Sequence, residues 1–305
     1  MFKRRSYPFV LLAVFVAAGV GQAGVQKWDA VVKAAGPLHW YRFNEAVGTT
    51  VAADEGSGSL DGTYRSLVEL GQEGLFGDGQ AVRFERGGQD DAMYTGGGNV
   101  AGDEWTAEFI VMKASDTEAQ ALADSGTYSL RLIGYGTSGR IGYTHYGVID
   151  AEFTAVGGVS LVLPLQQWLH IVYRRSGSQV QLFVNGVLYG NGTTLIDCPI
   201  DSFGGRAASS ADGMDGFMDE VVIYDRALTD AEILAHAEAP FVADVGAALL
   251  QPENGAVETL RDTVLAWLPG MYAETHDVYL GTTFDEVAAA DRSDSSGILV
   301  SRGQA

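Results

Sequence analysis

Short runs of β-branched and aromatic residues recur from Leu38 onward, each closed by a cluster of glycines. Runs of this kind bounded by turn formers are strands, and many in succession describe a sandwich or a barrel. The clearest are Leu38–Phe43, Ala81–Phe84, Trp105–Met112, Tyr128–Ile133, Trp168–Arg174, Val180–Val184, Val187–Tyr189 and Gly216–Tyr224. Gly 40 against Pro 7 supplies the tight turns that such short elements need. Asn185-Gly186 has the composition of a two-residue type I′ hairpin turn, whose central residues both require φ > 0. Trp168, His170, Val172 and Arg174 alternate with Leu169, Ile171 and Tyr173. Apolar residues occur in both sets, so this strand is expected inside a two-layer structure. One helix is predicted, at Thr229–His236, where Thr229 and Glu232 have capping-box spacing. A lone short helix after many strands excludes a doubly wound βαβ fold and leaves an all-β one.

The N-terminus departs from this pattern. Lys3, Arg4 and Arg5 precede an apolar run from Pro8 to Ala18, followed by Gly21-Gln22-Ala23. This is the form of a secretory signal peptide over residues 1–23. The run is about a dozen residues, short of the roughly 20 that a spanning helix needs, so no membrane insertion is expected after cleavage. The mature chain is expected outside the cytoplasm, secreted or in the cell envelope. Its formal net charge of −20 becomes −23 once the three basic residues are removed. A phosphate backbone would be repelled, which argues against nucleic acid as a partner. Cys198, the sole cysteine, allows no intramolecular disulfide, and beside Pro199 it reads as a small buried apolar residue.

Around Ala239-Pro240 the pattern resets. Strand-like runs at Thr263–Leu268 and His276–Leu280 are separated by Pro269-Gly270. Only 65 residues lie between Phe241 and Ala305, fewer than the roughly 100 of an immunoglobulin-like sandwich.

Three motifs in order carry a family resemblance. Leu38-His39-Trp40-Tyr41-Arg42-Phe43-Asn44-Glu45, with Gly48 and Asp54, resembles the opening strand and loop of laminin-G-like, concanavalin A-type jelly-roll domains. Trp168–Val172 followed by Leu182–Gly186 is similar to their central hairpin. Gly216–Thr229 with Glu232 and Ile233 is similar to their closing strand and helix. The resemblance implies a two-sheet antiparallel jelly-roll sandwich over residues 24–240. The tail, residues 241–305, resembles an incomplete fibronectin-III-like unit of the kind that follows such domains in large exported bacterial proteins. Jelly rolls of this kind often join their first and last strands through one calcium ion. The matching positions are Glu45, Asp54 and Asp219, with Asp212 and Asp215 as loop alternatives, set against a reading as ordinary solvated turn acids. The stretch Asp212–Glu220 offers the oxygen donors that Ca²⁺ takes. An EF-hand is excluded, because the twelfth position counted from Asp54 is Arg65.

The glucanases of this fold carry Glu-x-Asp-x-x-Glu or Glu-x-Asp-x-Glu on one strand, and neither pattern is present. Asp219 and Glu220 are adjacent and expected on opposite faces of a strand. They would not flank one glycosidic bond, which takes two carboxylates about 5–9.5 Å apart. His39, His145, His170, His236 and His276 lack zinc-ligand spacing, and His39 and His170 are expected as hydrogen-bonded structural residues. Gly134–Gly139 fits a dinucleotide fingerprint, but Arg140–Thr144 after it reads as a strand, so a hairpin loop is expected there. Sugar recognition uses exposed aromatic faces flanked by hydrogen-bonding groups. Tyr135, Tyr143, His145 and Tyr146 belong either to such a platform or to the core, and Tyr143 and Tyr146 are the candidates for ligand contact. The expected function is a secreted, non-catalytic module that binds extracellular carbohydrate and holds a structural calcium. The alternatives are a structural or adhesive module meeting a cell-surface protein, and a glycoside hydrolase whose carboxylate pair comes from distant strands.

Overall fold

The computed structural model describes residues 22–76, 81–87, 90–116, 118–135, 139–153, 162–206, 211–241, 248–251, 266–268, 276–279, 287 and 299–304. The expected leader therefore lies outside the described residues up to position 21. The chain separates into two compact units, one of which is Gly19–Pro240.

That unit opens with α1 (Gln22–Ala35) and then β1 (His39–Tyr41), β2 (Val51–Ala52), β3 (Gly62–Tyr64), β4 (Glu69–Gln72), β5 (Ala81–Glu85), β6 (Met93–Tyr94) and β7 (Asn99–Val100). The long β8 (Glu104–Lys113) leads into β9 (Gln120–Asp124), β10 (Tyr128–Ile133), β11 (Gly142–His145) and β12 (Ile149–Glu152). Next come β13 (Trp168–Ser176), β14 (Gln179–Val184), β15 (Val187–Gly192), β16 (Cys198–Pro199), β17 (Ser202–Phe203), β18 (Asp215–Tyr224) and α2 (Asp230–Phe241).

Two eight-stranded antiparallel sheets result. Sheet I runs β15-β14-β13-β8-β18-β5-β4, with β1 also paired to β18. Sheet II runs β12-β11-β10-β9-β17-β6-β3-β2. Along β8 and β13 the period-2 alternation sends Phe109, Val111, Leu169, Ile171 and Tyr173 between the sheets, where they meet Leu130, Leu132, Tyr143 and Phe203 of sheet II. Burying each large apolar side chain of this kind contributes about 1.5–3 kcal/mol.

The other set from the same strands, Ile110 and Val172 with Val222 and Tyr224, packs against Trp28 and Val32 of α1 and Ile233 and Ala239 of α2. Sheet I is thus buried on both faces, which explains why Trp168–Arg174 is apolar on both sides. The sequence reading of a single helix is corrected here by α1, whose Trp28, Val31, Val32 and Ala35 recur at i, i+3, i+4 and i+7 and pack into that second core.

Local chemistry agrees with several expectations. Asn185 and Gly186 take φ values of 48° and 81° between β14 and β15. Thr229 and Glu232 form the reciprocal cap of α2: Glu232 N donates to Thr229 Oγ1 at 3.2 Å and Thr229 N to Glu232 Oε2 at 2.8 Å. Gly134 N donates to Arg140 O at 2.6 Å, closing a hairpin between β10 and β11 where a nucleotide site would need a helix; residues 136–138 of that loop lie outside the described residues.

In the other unit, β19 (Ala248–Gln251) pairs with β20 (Ala266–Leu268) and β21 (His276–Tyr279) with β22 (Leu299–Gln304), both antiparallel. The rest of the expected fibronectin-III-like segment lies outside the described residues, apart from Val287.

Candidate functional site

The register of sheet II places one row of polar residues across seven strands: Thr63, Tyr94, Ser202, Asp124, Ser129, Thr144 and Asp150. The row one residue along, Tyr64, Met93, Phe203, Ala123, Leu130 and Tyr143, lies in the inter-sheet core. A period-2 backbone with one face buried leaves the alternate residues on the outer face, so the polar row lies there.

This outer face is roofed by arginine and tyrosine. Three guanidinium–ring stacks cross it: Arg65 over Tyr94 at 4.1 Å, Arg206 over Tyr146 at 4.3 Å and Arg131 over Tyr135 at 4.2 Å. Arg131, fully buried, donates through Nη2 to Tyr146 Oη at 2.6 Å and to Tyr135 Oη at 2.7 Å. Those phenols donate onward to two carboxylates, Tyr146 to Asp124 Oδ2 and Tyr135 to Asp212 Oδ2, each at 2.5 Å. Arg206 Nη1 donates to Asp212 Oδ2 at 3.3 Å, and Gly126 N donates to Asp124 Oδ1 at 2.9 Å.

Two arginines thus face two aspartates in one closed network. Burial raises both phenols above their ordinary range, with Asp212 acting further on Tyr135 and Asp124 on Tyr146, while Arg131 pulls each back. Burial also lifts Asp124, against the Tyr146 hydroxyl and Gly126 N–H that hold its charge. Asp212 takes φ 63°, a left-handed conformation uncommon for a non-glycine residue and of the kind that recurs at binding and catalytic sites.

Tyr146, named from the sequence, lies in this network. Tyr143 does not: it falls on the inner row, is 1% exposed and packs on Phe153 at 5.2 Å, so its expected ligand contact is replaced by a core role. Gly192 makes room for it, since a Cβ there would lie 2.1 Å from the Tyr143 hydroxyl.

The expected calcium ligands are dispersed into separate structural roles. Asp54 accepts four hydrogen bonds, from Trp40 N, Gly56 N and Leu60 N at 2.8 Å each and from His39 Nδ1 at 2.7 Å. Glu45 accepts from Ala53 N and the Tyr64 hydroxyl, each at 2.7 Å. Asp219 accepts from Leu75 N at 2.6 Å. Among the described residues no group of three or more His, Cys, Asp or Glu side chains is placed to hold a metal ion. Carboxylates whose oxygens already accept N–H and O–H donors do not fit a calcium ion, which requires those lone pairs.

Asp215 pairs with Arg83 at 2.6 Å. The register of β18 against β8 shifts between Met218 and Glu220. This bulge changes the strand's alternation. Asp219 and Glu220 are therefore not divided between the two faces as expected. Asp219 binds Leu75, which packs on the helix-side core, and Glu220 accepts from Trp40 Nε1, in that same core, at 2.5 Å. His39 is hydrogen-bonded as expected, whereas neither ring nitrogen of the buried His170 has a hydrogen-bond partner, its Nε2 lying 3.7 Å from Glu108 Oε1.

Arg131, Arg206, Asp124 and Tyr94 escaped the sequence reading. The signal for Arg131 was available, because Ser129 and Arg131 alternate with Leu130 and Leu132 in a strand with one polar face. Asp124 and Arg206 reach the site from separate strands and loops and carry no local pattern.

No curated protein matches the chain. The profile of the concanavalin A-like lectin/glucanases superfamily matches residues 86–234. Among solved structures, domain 4 of AbnA, a GH43 extracellular arabinanase from Geobacillus stearothermophilus, in complex with arabinotriose, is similar with TM-score 0.51 and 18% identity, over 66% of this chain and 98% of that one. The ligand-binding domain of botulinum neurotoxin serotype D, in complex with N-acetylneuraminic acid, gives TM-score 0.51 at 10% identity over 80% of this chain and 64% of that one. A Trypanosoma rangeli sialidase gives TM-score 0.50 at 14% identity, this chain spanning 39% of its length. At such identities the likeness concerns the fold. With its two antiparallel sheets and this profile match over residues 86–234, the sandwich of this chain is similar to the domains of the concanavalin A-like lectin/glucanases superfamily and shares their jelly-roll fold.

Proposed function

We propose that the sandwich is an exported carbohydrate-binding domain that holds an uncharged glycan on the outer face of sheet II without cleaving it. The observation that carries this reading is the set of three arginine–tyrosine stacks on that face, whose half-buried Tyr94, Tyr135 and Tyr146 rings, with Arg65 and Arg206 beside them, lie over a largely buried polar row. Sugars are bound by flat aromatic surfaces with hydrogen-bonding groups fixed beside them, and both are fixed here before any ligand arrives. The charge pattern selects among glycans. Arg131 and Arg206 are matched by Asp124 and Asp212, and the chain as a whole carries −20, so a polyanion gains no net attraction. The complexes with arabinotriose and N-acetylneuraminic acid formed by proteins of similar fold support carbohydrate as the ligand class.

The same network supports binding without cleavage. Asp124 is fully buried and Asp212 nearly so, and both accept hydrogen bonds from phenols. A general acid and its partner must instead face a cleft with room for the scissile bond. We assign calcium no part in the contact. The signal-peptide pattern of residues 1–23 supports export.

The test is a glycan array with the full mature chain, run in calcium and in EDTA, beside Tyr146→Ala and Arg206→Ala. The reading expects selective binding to neutral glycans in both buffers, a loss of about tenfold or more in each variant, and no release of reducing ends. A folded protein that binds no glycan would overturn it and favour a protein-adhesive module.

A further inference from the structure

We propose a second carbohydrate contact, on the outer face of sheet I, formed by Trp168, Met112 and Phe217 with Arg83 beside them. The register places Trp168 opposite Met112, Met112 opposite Phe217 and Phe217 opposite Arg83, so the four form one row across β13, β8, β18 and β5. The next row on that face contains His170 and Ile110, under the helices. Trp168 packs against the edge of that helix-side core, so the row lies where the helix cover gives out.

All four side chains are half-buried, in contrast to the buried residues on either side of Arg83, Met112 and Phe217 and to the buried Leu169 that follows Trp168. Trp168 and Phe217 lie 6.4 Å apart, centroid to centroid, and tilted by 59°. The Arg83 guanidinium sits 5.1 Å from the Phe217 ring. It is fixed by Asp215 at 2.6 Å and by the Gly216 carbonyl at 3.1 Å.

Four neighbouring strands span about 14 Å, giving a flat strip of rings and thioether that ends in a locked polar pair. A protein partner would need about 20–30 residues a side, whereas this strip offers three apolar side chains. Arg83 stands among Asp215, Glu85 at 3.9 Å and Glu69, its register partner, which leaves the strip acidic and selects an uncharged ligand. Rings for stacking and an oriented guanidinium–carboxylate pair for hydroxyls are what a neutral oligosaccharide uses. This contact does not depend on the reading of sheet II. Should both hold, one sandwich would bridge two glycan strands from its two outer faces, with the gain in avidity that linked sites bring.

Tryptophan fluorescence isolates the site. Trp28, Trp40 and Trp105 are at most 1% exposed, and Trp267 belongs to the other unit. In the full chain carrying Trp267→Phe, acrylamide quenching therefore reports Trp168. Arabinotriose, xylotriose, cellotriose and maltotriose are the probes. At least one is expected to lower the quenching about twofold, as it covers the indole face. Phe217→Ala is expected to raise the trisaccharide concentration needed for that protection about tenfold. Trp168→Phe and Trp168→Ala, which remove the reporter, are compared by isothermal titration calorimetry, where the variant that keeps a ring is expected to retain the binding that the alanine variant loses. Tyr146→Ala, which removes the sheet II contact, is expected to leave the protection of Trp168 in place, so the two readings fail separately. Protection by none of the trisaccharides, protection unchanged in Phe217→Ala, or a Trp168 inaccessible to acrylamide in the free protein would each overturn the proposal.

Discussion

Replacing Asp54 by alanine should cost the sandwich about 3–5 kcal/mol, because its carboxylate gathers four donors into one point. Three are backbone N–H groups, of Trp40, Gly56 and Leu60, and the fourth is the His39 ring. The Asp54 side chain is itself fully buried. An orphaned buried donor costs about 1–3 kcal/mol, and the exposed edge of the loop after β2 lets water recover part of this, which puts the total near the lower end of the sum. For a domain of this size the loss corresponds to a fall of about 10 °C in Tm.

The pH dependence carries a definite sign. Burial works to raise the Asp54 pKa, but the His39 and backbone hydrogen bonds outweigh it and hold the group below the ordinary carboxylate value. A depressed pKa contributes stability that is present above the unfolded value of about 3.9 and lost as pH falls through the folded one. The variant's deficit should therefore be constant from pH 5 to 8 and shrink in stronger acid. Thermal unfolding of both proteins at several pH values, in calcium and in EDTA, measures this. A deficit under about 1 kcal/mol would refute the hydrogen-bond argument. A deficit present only with calcium would make Asp54 a metal ligand after all.

Other expectations follow from separate parts of the structure. Glu108, buried between β8 and α2, lies 2.9 Å from His236 Nδ1; burial alone would raise it, but His236 and His170 hold it at about 2, while Glu108 raises His236 against the effect of burial. The His236 part is complete below about 6.5 and lost as pH rises through its raised value, and the Glu108 part is present above about 4.3 and lost toward acid. Tm should thus decline on the alkaline side, and Glu108→Gln should flatten that decline and cost about 3–5 kcal/mol by leaving His236 buried without its partner. EDTA should leave the wild-type Tm unchanged, since the carboxylates that calcium would use already accept protein hydrogen bonds. Gly142→Ala should destabilise by about 1–3 kcal/mol in urea unfolding, because its Cβ would lie 2.2 Å from the Ala151 carbonyl across the β11–β12 pair. Cys198 is fully buried and its thiol is pushed up by burial, so a thiol reagent should label it only after unfolding.

What was legible in the sequence was whatever is periodic or local. The alternation in Tyr128–Ile133 and Trp168–Arg174 marks real strands because one face or both must be apolar, and Asn185-Gly186 marks its hairpin because both residues tolerate positive φ. The helix α1 was equally periodic, but it begins within the stretch read as a leader, residues 1–23, which obscured it. The site was far less legible. Tyr143 and Tyr146 are three residues apart and look alike, yet strand parity turns one into the core, and the turn after β11 releases the other to meet Arg131. Asp124, Arg131, Arg206 and Asp212 converge only through the strand order of sheet II and the loops that follow β10 and β17. Local patterning does not encode that convergence. The bulge at Asp219 has the same character: one inserted residue reverses the face expected of everything after it.

The most direct test of the central claim is hydrogen–deuterium exchange of the full chain with and without its best neutral glycan. Sheet II as the binding face predicts slowed exchange in peptides covering Thr63, Tyr94, Tyr146–Asp150 and Ser202–Arg206, with the segments of α1 and α2 unchanged. Glycan-dependent protection confined to other segments, with those peptides unaltered, would contradict it.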